Sequence, residues 1–167
     1  MSVRCFVALG SNLGDPAVTV LAAIDALRAL PESHFVASSS LYRTAPIGLS
    51  HQPDFINAVV ELFAVPPAPT FLQRLFAIEA SFGRQRSVKN APRTLDLDLL
   101  LFGDLISDDP RMTLPHPRLH ERAFVLAPLA ELAPDLVIPG RGVVADLLAF
   151  CVDQRIERIG LSSESVA

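Results

Sequence analysis

The residue types best suited to chemistry are concentrated in residues 83–102, which read GRQRSVKNAPRTLDLDLLLF. Asp96 and Asp98 lie two positions apart in a run with the pattern of a short β-strand, so both carboxylates project from one face. The leucines on either side of each aspartate project from the other face, toward a core. Carboxylate oxygens a few ångströms apart suit Mg²⁺, which usually binds one or two carboxylates together with phosphate oxygens of a substrate.

Basic residues directly precede this pair of carboxylates. Residues 84–93 contain four cations: Arg84, Arg86, Lys89 and Arg93. Phosphoryl transfer needs a metal ion that bridges phosphates and cationic side chains that take up the charge on the transferred group, so the two features together favour this chemistry. The pattern alone leaves two alternatives open: the aspartates can form the hydrated face of an antiparallel sheet, and the basic segment can be a solvated turn.

The composition indicates a single globular domain over residues 1–167, large enough for a substantial core. Half of the residues are hydrophobic and 19% are charged, which excludes a disordered chain. The net charge is −4, and this acidic balance argues against the basic stripe that a nucleic-acid-binding protein presents.

The cysteines and the apolar runs indicate the cellular compartment in which the protein is expected. Cys5 and Cys151 have no metal-ligand spacing and favour a reduced, cytoplasmic protein over a disulfide scaffold. The apolar run after Arg4 is too short for a signal peptide, and no segment approaches the ~20 apolar residues of a membrane span. Because no heptad pattern or apolar patch demands a partner chain, we expect a monomer.

The elements that must position the candidate residues follow from hydrophobic periodicity. Strands are expected at residues 3–9, 34–43 and 55–63 and around 96–98, with helices from 16 to the proline at 31 and at 70–82. The order β-α-β-β-α-β is the ferredoxin-like arrangement of the α+β class, an antiparallel sheet with helices packed on it and here a C-terminal extension. The sheet face opposite the two helices is then open to ligands and carries Phe55, Asn57, Asp96 and Asp98.

The extension after this core is expected to contain three further segments with secondary structure. Residues 104–111 have the pattern of a short strand and turn, and residues 143–150 that of a helix. The helical pattern of residues 118–134 is interrupted by Pro128, which predicts two short helices. The last residues, 162–167, are expected to be frayed.

Three features carry both a structural and a functional interpretation. Asn57 can be an ordinary hydrogen-bonded sheet residue, or an amide that reads the edge of a flat heterocycle stacked on Phe55. Glu79 can be a surface or ion-pair residue, or a nucleotide contact. The turn at residues 10–14 is glycine-rich but lacks the Gly-Lys-Ser/Thr ending of a P-loop, which favours a strand–turn–helix joint without a ligand.

Four blocks of sequence resemble one family, the 6-hydroxymethyl-7,8-dihydropterin pyrophosphokinases of folate biosynthesis. The blocks read ALGSNLG at 8–14, YRT at 42–44 with QPDFIN at 52–57, PRTLDLD at 92–98, and PHP at 115–117 with RAF at 122–124. The resemblance spans about residues 3–139, and the PRTLDLD block is highly specific. It implies that ATP gives its terminal two phosphates, as one unit, to the hydroxymethyl oxygen of the pterin, and that AMP leaves.

The resemblance also implies roles for individual residues. Two Mg²⁺ ions would be held by Asp96 and Asp98. Catalysis would involve these two aspartates together with Arg84 and Arg93. The implied nucleotide contacts are Glu79, Arg84, Arg86, Arg93, Arg111, Thr113, His116 and Arg122. The implied pterin contacts are Thr44, Pro46, Ile47, Gly48, Phe55, Asn57, Asp96 and Phe124, with the ring stacked between the two phenylalanines.

The sequence departs from the best-known form of the family in the basic segment. That form carries Arg-Trp-Gly before the Pro-Arg-Thr block, whereas this chain reads SVKNA at 87–91, is one residue shorter there, and has no tryptophan anywhere. Lys89 can supply the missing cation only as a point charge. Two other functions stay open: a module that binds a nucleotide or single-stranded nucleic acid without chemistry, and a metal-assisted phosphohydrolase with no pterin acceptor.

Overall fold

The structure, a computed structural model, describes residues 2–45, 53–83 and 94–159. Within these ranges the strands are β1 (Val3–Ser11), β2 (Ser33–Ser38), β3 (Tyr42–Thr44), β4 (Phe55–Ala64), β5 (Asp96–Phe102), β6 (Val137–Ile138), β7 (Gly142–Val143) and β8 (Ile156–Arg158). The helices are α1 (Pro16–Arg28), α2 (Ala68–Ser81), α3 (Ala123–Leu132) and α4 (Val144–Ala149), with a 3₁₀ turn at Leu119–Glu121.

An antiparallel sheet forms the centre of the fold. Its strand order is β5-β1-β4-β3-β8, and β2 also pairs with β4, while β6 and β7 form a separate hairpin. Strands β1 to β5, the first five along the chain, lie in the order that a split β-α-β arrangement produces. The α+β prediction is therefore confirmed. The register of the central strands places Gly10 opposite both Asn57 and Asp96, and Ala8 opposite Asp98.

The predicted caps mark the start of α1 and the end of α2, whereas α1 ends at Arg28, before the proline at 31, and α2 begins at Ala68, two residues earlier than expected. Asp15 caps α1, because its Oδ1 accepts a hydrogen bond from the N–H of Val18 at 3.4 Å and Pro16 is the first helical residue. Gly83 follows α2 with a φ of 81°, a conformation that favours glycine, and its N–H bonds to the carbonyl of Ala80 at 3.0 Å.

Each face of the sheet has its own hydrophobic core. Helices α1 and α2 cover one face, where Ile24 and Leu75 pack with Leu62. The opposite face was expected to be open, but α3 covers much of it, and Val59 is buried there with Leu126. The alternation of side chains along β4 accounts for both cores, because residues at even and odd positions project from opposite faces of the sheet.

The expected strand at residues 34–43 is divided into β2 and β3. At the break, the Ser39 hydroxyl accepts the N–H of Val59 at 2.9 Å, and the Ser39 N–H donates to the Val59 carbonyl at 2.9 Å. The N–H of Ser40 donates instead to the Glu131 carboxylate of α3, at 2.9 Å to Oε2. Two side-chain acceptors, the Ser39 hydroxyl and the Glu131 carboxylate, therefore replace backbone pairing at this point and interrupt the strand.

The prediction that Pro128 divides the segment into two helices was wrong, since α3 runs through it. A proline inside a helix lacks the N–H for the preceding turn, at a cost of roughly 3 kcal/mol. Here Pro128, Leu126 and Leu129 are all buried. Burial of such side chains contributes about 1.5–3 kcal/mol each, which offsets the local cost.

The strand expected within residues 104–111 is absent from that described segment, which forms a turn instead. Asp109 closes it, because its Oδ1 accepts the N–H of Arg111 at 2.9 Å, and one β-bridge joins Ser107 to Leu114. The helix expected at 143–150 is confirmed as α4, whereas the short strands β6, β7 and β8 were not predicted. The expected fraying of 162–167 lies outside the described residues. In the described part of the chain, no helix has the length and apolarity needed to cross a bilayer.

Candidate active site

A pocket lies at one end of the sheet, where β1, β4 and β5 meet the start of α3. It occupies about 720 Å³ including its open mouth. The lining residues are Ala8, Leu9, Gly10, Thr44, Ala45, Phe55, Asn57, Asp96, Asp98, Arg122, Phe124 and Val125. Six of the residues that the sequence singled out are therefore brought together here: Thr44, Phe55, Asn57, Asp96, Asp98 and Phe124, with Arg122 as a seventh from the nucleotide set.

Asp96 and Asp98 form the acidic side of the pocket. They lie on one face of β5, while Leu97 between them is buried in the core under α2, as the alternation predicted. Among the described residues, no group of three or more His, Cys, Asp or Glu side chains is arranged to hold a metal ion. Two carboxylates on one face suit an ion such as Mg²⁺, which completes its coordination with substrate oxygens and water.

Glu79 anchors the strand that carries these aspartates. It is 1% exposed, and its Oε2 accepts the N–H of Leu97 at 2.7 Å. The interpretation of Glu79 as a surface residue was therefore wrong. Although the pattern of α2 places residue 79 near its buried stripe, a carboxylate at that position is rarely buried, so the sequence did not reveal this role.

Asn57 lies on the floor of the pocket and is held by a neighbouring strand. Its Nδ2 donates to the Thr44 hydroxyl at 2.8 Å, so one amide hydrogen is used and the amide plane is fixed. Gly10 faces it, because a Cβ built on Gly10 would lie 3.2 Å from the Asn57 Oδ1 and 3.9 Å from a Phe55 ring carbon. The sequence favoured a joint without a ligand at residues 10–14, but Gly10 lies within β1 and lines the pocket. A glycine inside a strand is the signal for such a close approach.

Arg122 and Phe124 form the wall opposite the sheet. The Arg122 guanidinium carbon lies 5.4 Å from the centroid of the Phe124 ring. Burial lowers the pKa of Arg122 while the charge of Asp98 opposes that effect, and arginine stays cationic at neutral pH. The pocket thus places a cation and an aromatic face across from two carboxylates.

His116 lies beside this wall, in surroundings that disfavour the charged form of its ring. Burial, and then the positive charge of Arg122, lower the pKa of His116 to about 4. Its Nδ1 accepts the N–H of Arg118 at 3.3 Å, so the neutral ring carries its proton on Nε2. The ring can therefore donate a hydrogen bond from Nε2 without adding charge.

Other predicted contacts lie elsewhere. Arg111 is exposed and paired with Asp109 at 2.9 Å, and the Thr113 hydroxyl donates to the carbonyl of Asp109 at 3.2 Å. Neither residue is among the described residues that line the pocket. The predicted roles of Arg84, Arg86, Arg93, Pro46, Ile47 and Gly48, and of Lys89, fall outside the described residues.

The sequence is similar to known proteins over most of its length. A family model described as 7,8-dihydro-6-hydroxymethylpterin-pyrophosphokinase matches residues 6–134. The chain is 47% identical over 159 residues to the 2-amino-4-hydroxy-6-hydroxymethyldihydropteridine pyrophosphokinase of Pseudomonas aeruginosa, covering 95% of this chain and 98% of the relative. It is 38% identical to the enzyme of the same name from Haemophilus influenzae, covering 94% and 98%.

The fold has a counterpart among solved structures. The crystal structure of wild-type Plasmodium falciparum HPPK-DHPS matches with a TM-score of 0.69 and 14% identity over 92% of this chain. The present chain spans 42% of that longer protein. At this identity the likeness concerns the fold alone.

Proposed function

The chain belongs to the 7,8-dihydro-6-hydroxymethylpterin-pyrophosphokinase family, and on that basis we propose that it transfers the β- and γ-phosphates of ATP to 6-hydroxymethyl-7,8-dihydropterin. The products are AMP and the pterin diphosphate, an intermediate of folate biosynthesis. One observation carries the proposal for this pocket: two carboxylates, a cation, two phenyl rings and a fixed amide line the same space.

The pterin end of the reaction is assigned to the sheet and the start of α3. Phe55 and Phe124 would stack on the two faces of the bicyclic ring, since aromatic faces favour flat heterocycles. Asn57 would read the edge of the ring through its Oδ1 and its second amide hydrogen, because Thr44 holds the first. The pterin then lies with its hydroxymethyl group toward the carboxylates, and the backbone of Pro46, Ile47 and Gly48 would complete its binding site.

The transfer step is assigned to the acidic side of the pocket. The hydroxymethyl oxygen attacks the β-phosphorus, and the bond from that phosphorus to the α–β bridging oxygen breaks. Asp96 and Asp98 would hold two Mg²⁺ ions, which supply charge neutralisation to the phosphate oxygens. Arg122 lines the pocket and would bind a phosphate oxygen through its planar fork of donors. We assign the same task to Arg84 and Arg93, with Arg86 as a helper.

The nucleotide contacts are assigned to the residues beside the Arg122 wall. Neutral His116 would donate from Nε2 to the nucleotide, since Nδ1 already accepts the N–H of Arg118. Arg111 and Thr113 complete the proposed nucleotide set, whereas Glu79, which is 1% exposed and bonded to the N–H of Leu97, is assigned to the support of β5. The exposed pair of Arg111 with Asp109 is only a surface contact, so it costs little to exchange for a phosphate.

We further propose that residues 1–167 act as a single catalytic domain, as a monomer and in the cytoplasm. Strands β1, β4 and β5 contribute residues to both cores, which supports a single domain. Both cysteines are free and buried, which fits a reducing compartment.

The proposal is tested by measuring AMP formation from ATP and Mg²⁺ with and without 6-hydroxymethyl-7,8-dihydropterin. AMP and pterin diphosphate should form in equal amounts, and only with both substrates present. Release of inorganic phosphate without the pterin would indicate a phosphohydrolase instead. Tight nucleotide binding without any product would indicate a binding module.

A further inference from the structure

The C-terminal segment, to which the sequence assigned no function, contacts two walls of the pocket. Strand β8 pairs with β3, and Ile156 lies opposite the pocket residue Thr44. Two residues earlier, Gln154 reaches the start of α3 on the other wall. A second cavity, lined in part by Gln154 and Ile156, shares Arg122 and Phe124 with the pocket.

The carboxamide of Gln154 binds the backbone on both sides of Arg122. Its Oε1 accepts the N–H of Ala123 at 2.8 Å, and its Nε2 donates to the carbonyl of Glu121 at 2.7 Å. Arg122 is extended, with φ −117° and ψ 112°. In an extended residue, the preceding carbonyl and the following N–H point to the same side. Gln154 therefore pairs with this backbone as a neighbouring strand would, and fixes the direction in which the Arg122 side chain leaves.

The same contact provides a hydrogen-bond acceptor for the first backbone N–H of α3. Ala123 is the first residue of that helix, so its N–H has no acceptor within the helix. Arg122, at the capping position, makes no side-chain hydrogen bond to the helix. Gln154 supplies the missing acceptor from a distant part of the chain, and thereby orients the turn that carries Phe124.

We propose that Gln154 is a positioning residue for diphosphate transfer, which holds Arg122 and Phe124 in the geometry that binds the phosphate and the pterin. This inference rests on the proposed function. Gln154 acts through the backbone of the α3 start and does not itself contact substrate. The segment that ends in β8 therefore belongs to the machinery that shapes the pocket.

The test replaces the carboxamide with a side chain of similar length that forms no comparable hydrogen bonds, Gln154→Met. Dissociation constants for the pterin and for a non-hydrolysable ATP analogue, measured by calorimetry, should each rise roughly 3- to 10-fold, the equivalent of one lost neutral hydrogen bond. The matched control is Gln73→Met on the exposed side of α2, which should bind both ligands as the wild type does. Gln154→Glu keeps the acceptor for Ala123 and should recover part of the lost affinity.

A double-mutant cycle separates positioning from general stability. In the Phe124→Ala background, Gln154→Met should have little further effect on pterin binding, because the ring that it orients is gone. Fully additive losses would overturn the proposal. If the wild type binds both ligands and Gln154→Met binds them with the same dissociation constants, the positioning role alone is overturned. If the wild type binds neither ligand, the proposed function is overturned and this role with it.

Discussion

The carboxylate of Glu79 accepts the backbone N–H of Leu97 at 2.7 Å, so helix α2 is bonded to the residue that lies between Asp96 and Asp98. The side chain of Leu97 is buried on the core side of β5, while the two aspartates face the pocket. The position of both candidate metal ligands thus depends on a buried group of α2, a helix that packs on the opposite face of the sheet.

We expect Glu79→Ala to destabilise the protein and to lower the transfer rate. The substitution leaves the buried Leu97 N–H without this acceptor, at a cost of about 1–3 kcal/mol. Urea unfolding measures the first effect, and AMP formation under conditions that keep the protein folded measures the second. Glu79→Gln retains an acceptor and should cost less. Equal stability of Glu79→Ala and the wild type would contradict the anchoring role.

Asp96→Asn and Asp98→Asn should each reduce AMP formation by at least about 100-fold, because charge stabilisation of the transferred phosphates is lost. The residual activity should need more Mg²⁺ than the wild type does. Asp104→Asn is the control, since this exposed carboxylate lies just beyond β5. Near-normal turnover in either pocket variant, with Mg²⁺ dependence unchanged, would rule out these residues as metal ligands.

Gly10→Ala should weaken pterin binding and leave ATP binding nearly unchanged. The added methyl group would lie 3.2 Å from the Asn57 Oδ1, so the amide must shift from the position in which Thr44 holds it. We expect a loss of roughly 10-fold in pterin affinity, comparable to one displaced hydrogen bond. Calorimetry with each ligand separately makes the distinction, and a loss confined to ATP would reverse the assignment of this end of the pocket.

His116 should contribute a pH dependence to stability on the acidic side. Its folded pKa of about 4 lies below the unfolded value of about 6.5, so the unfolded chain binds more protons between these values. Stability therefore falls as the pH drops from 6.5 toward 4, by up to about 3 kcal/mol from this group, and is unaffected by it above 6.5.

Urea unfolding at pH 7 and pH 4.5 checks this expectation. His116→Gln should lose less stability over that interval than the wild type, whereas His34→Gln, on the exposed side of β2, should behave as the wild type does. If His116→Gln and the wild type lose the same stability over the interval, the group is not held neutral by its surroundings.

The part of the site that could be predicted from sequence depends on local geometry. The two-residue spacing of Asp96 and Asp98 sets their common face, and the alternation of β4 sets that of Phe55 and Asn57, whatever the rest of the chain does. What the pattern could not reveal is contact between distant segments. Glu79 is buried because Leu97 needs an acceptor, and Gln154 meets Ala123 across 31 positions of sequence.

The incorrect fold predictions have the same origin. Pro128 is a strong local signal against a helix, but burial of its neighbours against the sheet outweighs it. The three residues of β8 have no periodicity of their own and become a strand only because β3 offers an edge. Short elements of this kind are defined by their partners.

One edge of strand β4 pairs with two different strands along its length. Five residue pairs join it to β2 at one end, three join it to β3 at the end that borders the pocket, and Ser39 bridges to Val59 in between. Separating β3 from β4 breaks fewer cross-strand pairs than separating β2 from β4. Local opening is easiest where few pairs hold the backbone. On this edge of β4 we therefore expect the backbone to open first beside the pocket, at the β3 pairs, while the pairing with β1 holds the other edge along nearly its whole length.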